Sequence, residues 1–110
     1  MPRWSLSGYR CVITGGSKGL GKACVEEFLQ LGASVLFTAR GHEELEAMHV
    51  DLASTYGAER VHFLAADVST EAGRDALVAR ATALWDGVLD VLVNNVGTNQ
   101  RMPAVEGRAF

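Results

Sequence analysis

Cysteine and proline are scarce in this chain, two of each among 110 residues. Two cysteines cannot build the disulfide framework of a small secreted domain, and the spacing of Cys11 and Cys24 fits no metal site. Both fall where a small apolar core residue is expected, one in a strand and one on a helix, as suits a reducing compartment. Tyrosine is as scarce: Tyr9 and Tyr56 are the only two, and neither is followed four positions later by a lysine. The three histidines, His42, His49 and His62, lack metal-ligand spacing and read as surface or partly packed residues. A basic stripe for nucleic acid is missing, since the net charge is −3 with both signs scattered. No apolar run is long enough to span a bilayer, and Met1-Pro2-Arg3-Trp4-Ser5 lacks the apolar core of a secretory signal. These absences lead to the expectation of a soluble protein of the cytoplasm, or of an organelle, with no membrane and no nucleic-acid partner.

What is present is a globular balance, 48% apolar and 21% charged, over a length suited to one domain, residues 1–110. Short β-branched and apolar runs alternate with longer amphipathic ones. Strands are expected at about Tyr9–Thr14, Ser34–Thr38, Arg60–Ala65 and Val88–Val93. Helices are expected between them. The first runs from about Leu20 to Leu31 with Leu20, Ala23, Cys24, Phe28 and Leu31 on its apolar face, and Gly32 stops it. The second runs from about Glu43 to Tyr56 on Leu45, Met48, Leu52 and Tyr56. The third is capped by Ser69 and ends near Trp85, where Asp86-Gly87 breaks it. Residues 98–110 show no clear period. Strand and helix in alternation mean parallel βαβ units with right-handed crossovers, hence an α/β, Rossmann-type sheet of order 3-2-1-4. The first two helices cover one face and the third covers the other.

Thr14-Gly15-Gly16-Ser17-Lys18-Gly19-Leu20-Gly21 joins the first strand to the first helix. Strand, glycine-rich turn and helix bring backbone N–H groups to a dinucleotide pyrophosphate. Gly15 permits a tight exit from the strand, Gly19 lets the backbone approach phosphate, and Gly21 lets helix and strand pack closely. A carboxylate after the second strand would bind the ribose 2′-hydroxyl of NAD. Here Thr38-Ala39-Arg40 supplies a guanidinium instead, and Lys18 adds a second cation, so NADP(H) is the expected cofactor. Two solvated surface cations are the plainer alternative. Asp67, after the third strand, can accept from an adenine amino group with the Val68 N–H serving the ring; it also suits the turn before a helix. Asn94, Asn95, Val96 and Gly97 close the fourth strand. The amides can tie strand ends together, structural use being the stronger reading for Asn94, and Gly97 lets the chain pass close to a ribose. All these residues belong at the C-terminal edge of the sheet, where such folds bind their ligands.

Taken together, Thr14-Gly15-x-x-x-Gly19-x-Gly21, Asp67-Val68 and Asn94-Asn95-Val96-Gly97 resemble the short-chain dehydrogenase/reductase family over nearly the whole chain. A narrower likeness, to tropinone reductase-like members, rests on Arg3-Trp4-Ser5-Leu6, on Thr14–Gly19, and on Val96-Gly97-Thr98-Asn99 with Arg101 and Pro103. The resemblance implies an oxidoreductase acting on a small carbonyl or alcohol, with NADPH held through Lys18 and Arg40. It also implies a chain more than twice as long, with an asparagine on the next helix, then a serine and a Tyr-x-x-x-Lys pair that carry the chemistry. None of these catalytic groups is in the 110 residues, so no catalytic residue is assigned. The expectation is the cofactor-binding portion of a reductase, cut short after Phe110, and not active alone. The alternatives are a non-catalytic NADP-binding or interaction module, or a truncated gene product. Truncation would leave the fourth strand as an exposed edge and wet the apolar side chains of strands one and four, inviting homo-oligomerisation or aggregation.

Overall fold

The run after Gly8 forms β1 (Arg10–Thr14) at the centre of a four-stranded parallel sheet in a computed structural model that describes residues 5–95. The chain continues through α1 (Gly19–Gln30), β2 (Ser34–Ala39), α2 (His42–Tyr56), β3 (Val61–Ala65), α3 (Glu71–Trp85) and β4 (Val91–Asn94). The strand order is β3-β2-β1-β4, as the alternation of elements requires once each crossover is right-handed. Register is continuous across the middle of the sheet: Ile13 pairs with Phe37 and with Val93, and Phe37 pairs with Phe63.

Strand side chains alternate between two faces. Cys11, Ile13, Val35, Phe37 and Val61 pack with Val25 and Leu29 of α1 and Leu45, Met48 and Leu52 of α2 in one core. Burial pushes the Cys11 thiol up to about 11, with the Asp90 charge adding to the effect, so this sulfur is packing material and no nucleophile. α3 lies on the other face, where the Trp85 ring meets His62 edge-on at 6.2 Å. That face is thinner. Gly73 is the only α3 residue that is fully buried, and Val78 is 64% exposed.

Four expectations need correction. The face α1 turns to the sheet is centred on Gly21, Val25 and Leu29, with the expected Cys24 and Phe28 half-buried against the same core; Leu20 is 72% exposed, Ala23 is exposed, and Leu31 is the C-cap. Close approach at the side-chain-free Gly21 sets this phase. The cap of α3 is Thr70, whose hydroxyl accepts from the Gly73 N–H at 3.0 Å. Ser69 stands one residue before the cap, where its N–H and hydroxyl both donate to Asp67 Oδ1. β4 starts later than the apolar pattern suggests, because Val88 is still bonded to the Trp85 carbonyl and pairing begins at Asp90, whose N–H donates to the Arg10 carbonyl. Asp90 Oδ2 in turn accepts from the Arg10 N–H at 2.8 Å and Nε at 2.9 Å. Finally, the apolar side chains of β1 do not meet water: Cys11 and Ile13 are fully buried and Val12 is 2% exposed. The exposure falls on Leu92 of β4, at 57%.

Arg60, just before β3, ties the helix ends together. Its Nη1 donates to the Leu29 and Ala33 carbonyls at 3.2 and 2.8 Å, and its Nε donates to the Tyr56 carbonyl at 3.2 Å. The guanidinium also lies 5.8 Å from the Tyr56 ring centroid. One half-buried cation thus serves the C-terminal ends of both α1 and α2, where the helix dipoles favour positive charge. Arg60→Ala is expected to cost about 2–3 kcal/mol, because it strands carbonyls bonded to a charged donor. Arg60→Lys should recover only part of that, lacking the planar fork. Urea unfolding of the three proteins measures both; equal stability of wild type and Arg60→Ala would contradict the assignment.

Candidate functional site

The C-terminal ends of β1 and β4 are held together by Thr14. Its buried hydroxyl donates to Asn94 Oδ1 at 3.0 Å and accepts from the Asn95 N–H at 2.9 Å. The Asn95 side chain donates to the Gly15 carbonyl at 3.3 Å. The Gly16 N–H donates to the Thr38 carbonyl at 2.9 Å, joining the loop to β2. Thr14, Asn94 and Asn95 therefore do structural work: they fix the base of the glycine loop. Val96 and Gly97 lie outside the described residues.

The loop itself runs from Gly15 to Lys18, and α1 begins at Gly19. Gly15 and Gly19 have φ of +67° and +55°, a region that side chains rarely adopt. Space tells the glycines apart. A Cβ on Gly21 would overlap the Gly15 carbonyl and come 2.7 Å from Asn95 Nδ2. A Cβ on Gly16 would come 2.8 Å from the Phe37 Cβ, a packing role that the loop pattern alone did not disclose. A Cβ on Gly19 would meet nothing within 4 Å. The backbone at Gly19 thus opens onto clear space.

Helix ends differ in how their first N–H groups are treated. α2 carries Glu43 and Glu44 in its first turn, and α3 has both the Thr70 cap and Glu71. α1 has no side-chain cap at Lys18 and no acidic residue in its first turn. Its partial positive charge is left uncompensated, next to the open side of Gly19. Leu20 stands exposed and Ser17 half-buried at the same mouth. This is the donor set a phosphate group requires, so the loop passes the test for a dinucleotide pyrophosphate.

Two cations border it. Lys18 lies 3.5 Å from Glu44 Oε2, with both side chains well exposed. Arg40 follows β2 at the surface, and its charge reaches Asp67. The Asp67 carboxyl is held below the usual carboxylate range, first by the Ser69 hydroxyl, next by the Ser69 N–H, with Arg40 assisting and partial burial opposing. It is ionised at neutral pH. The turn role and a ligand role are compatible, because a carboxylate accepts more bonds than the two that Ser69 donates. Val68 follows half-buried, its carbonyl accepting from Arg74 Nη1 at 3.2 Å. Among the described residues no group of His, Cys, Asp and Glu could hold a metal ion, and no helix is long and apolar enough to cross a membrane.

Comparison with known proteins points the same way. The family model described as short chain dehydrogenase matches residues 10–109. A chloroplastic tropinone reductase homologue of Arabidopsis thaliana is 44% identical over 104 residues, covering 94% of this chain and 32% of the relative. A second Arabidopsis thaliana tropinone reductase homologue is 40% identical over 104 residues, covering 94% of this chain and 39% of the relative. The chain thus spans about a third to two-fifths of the length of these curated relatives. Among solved structures, L-sorbose reductase from Gluconobacter frateurii, complexed with NADPH and L-sorbose, is 37% identical with a TM-score of 0.81, over 93% of this chain and 38% of that one. An NADPH-bound short chain oxidoreductase from Pseudomonas aeruginosa PAO1 with an atypical catalytic centre is 35% identical with a TM-score of 0.80, over 86% of this chain and 37% of that one.

Proposed function

Given that the chain belongs to the short-chain dehydrogenase family, we propose that it is the NADP(H)-binding portion of a carbonyl reductase or alcohol dehydrogenase of the tropinone reductase-like kind. The observation that carries this is the uncapped, acid-free start of α1 facing open space at Gly19. The N–H groups of residues 17–21 bind the pyrophosphate, with Thr14 and Gly15 setting the turn. Arg40 and Lys18 bind the 2′-phosphate. Asp67 and Val68 serve the adenine. Asn94 and Asn95 keep the loop in register, with Val96 and Gly97 assigned to the ribose on the sequence pattern. NADPH in two of the matched structures supports the choice of cofactor.

When bound, the dinucleotide supplies hydride chemistry toward a carbonyl or alcohol carbon. The residues of this chain bind and orient its adenine half; proton transfer is not among their tasks, since the 110 residues contain no Tyr-x-x-x-Lys. Self-association through β4, where Leu92 is exposed, is part of the same proposal. So is residence in the cytoplasm or, like the chloroplastic relative, an organelle. Calorimetric titration of the chain with NADP and NAD tests the cofactor assignment. Tighter binding of NADP is the expected result; equal or tighter binding of NAD would refute it.

A further inference from the structure

Of the two cations at the nucleotide rim, Lys18 faces the Glu44 carboxylate, and Arg40 acts on Asp67 only weakly through its charge. Asp67 already has a role at the adenine end. Glu44 has none. α2 starts at His42, directly after Arg40-Gly41, and the fully buried Leu45 anchors its first turn. Glu44 folds back over the side-chain-free Gly41, where a Cβ would come 3.1 Å from Oε1. From there Oε2 reaches Lys18 Nζ, on the glycine loop, at 3.5 Å. The carboxylate therefore lies between the two segments that carry Lys18 and Arg40.

Building on the NADP reading, we infer that Glu44 is a specificity-determining residue that restrains the preference for a 2′-phosphate. A phosphate that engages Lys18 must share Nζ with Glu44 and meets a like charge beside it. A ribose with a free 2′-hydroxyl carries no such charge and is not penalised. The ion pair itself is exposed and contributes little to folding, so removing one charge leaves the helix start intact. Glu44→Gln keeps the size and one carbonyl acceptor of the side chain while deleting the charge. At the separations and solvent screening of an exposed site, one like charge against a phosphate shifts affinity by about three- to tenfold.

The test is calorimetric titration of wild type and Glu44→Gln with 2′,5′-ADP and with 5′-AMP. Expected is a three- to tenfold gain for 2′,5′-ADP, a change under about twofold for 5′-AMP, and a gain that shrinks in high salt. Two results would overturn the inference: an unchanged ratio of the two affinities, or weaker binding of 2′,5′-ADP, which would mean that Glu44 orients Lys18. A wild-type protein that does not favour 2′,5′-ADP at all refutes the NADP assignment, and the inference with it. A wild type that does favour it, with no gain in the variant, refutes the inference alone.

Discussion

Replacing Arg40 by alanine is expected to weaken NADP binding roughly ten- to a hundredfold, the range of one or two lost hydrogen bonds between charged groups. NAD binding should change by less than about twofold, because a 2′-hydroxyl gives a guanidinium little to hold. The contrast follows from placement. Arg40 stands at the exposed end of β2, the strand next to β1, and bears on the same edge as the glycine loop. Arg40→Lys keeps the charge but loses the fork, so it should fall between the two. Rising salt should erode the NADP preference in the wild type and leave NAD almost unaffected. Identical NADP affinity in wild type and Arg40→Ala would show that the guanidinium is a solvated surface cation.

Gly21→Ala is expected to have the largest effect on folding. Its Cβ would overlap the Gly15 carbonyl and crowd Asn95 Nδ2, and neither can yield freely. Gly15 is held by Asn95, and Asn95 by Thr14, so the strain passes into the junction of β1 and β4. Forcing backbone apart in a packed junction costs about 3 kcal/mol or more. For a domain of this size that lowers the thermal midpoint by more than about 10 °C. Gly19→Ala meets no atoms and bears only the penalty of a positive φ, about 1–2 kcal/mol. The order of midpoints, wild type above Gly19→Ala above Gly21→Ala, separates the packing role from the conformational one. A Gly21→Ala protein as stable as the wild type would disprove the tight junction.

The glycine loop and the strand order were legible in the sequence because both rest on local pattern. Alternating strands and helices dictate the sheet once handedness is applied, and the loop announces itself by three spaced glycines. The phase of α1 was legible only in part, since Cys24 and Phe28 pack against the core while Leu20 and Ala23 do not. A count of apolar residues selects Leu20, yet the contact face is marked by Gly21, which has no side chain to count. Leu20 is left at the mouth of the site, consistent with its place among the proposed nucleotide contacts. Arg60 was missed for a different reason. Its partners are the Leu29, Ala33 and Tyr56 carbonyls, brought together by packing of α1 and α2, and nothing near Arg60 in the chain signals them. Glu44 is similar: as one of several acids at the start of α2 it reads as a favourable dipole charge, and only the fold brings it to Lys18. Asp67 shows the converse, since the turn role weighed in the sequence is visible as bonds from Ser69, while the adenine role awaits a ligand.

The most direct measurement is backbone amide mapping by nitrogen-15 NMR during titration with NADP. Saturable shifts are expected at Ser17, Lys18, Gly19, Leu20 and Gly21, with Arg40 moving for NADP and staying still for NAD. Saturable binding that leaves those loop amides untouched, or no binding at millimolar nucleotide, would contradict the assignment of this edge as a dinucleotide site.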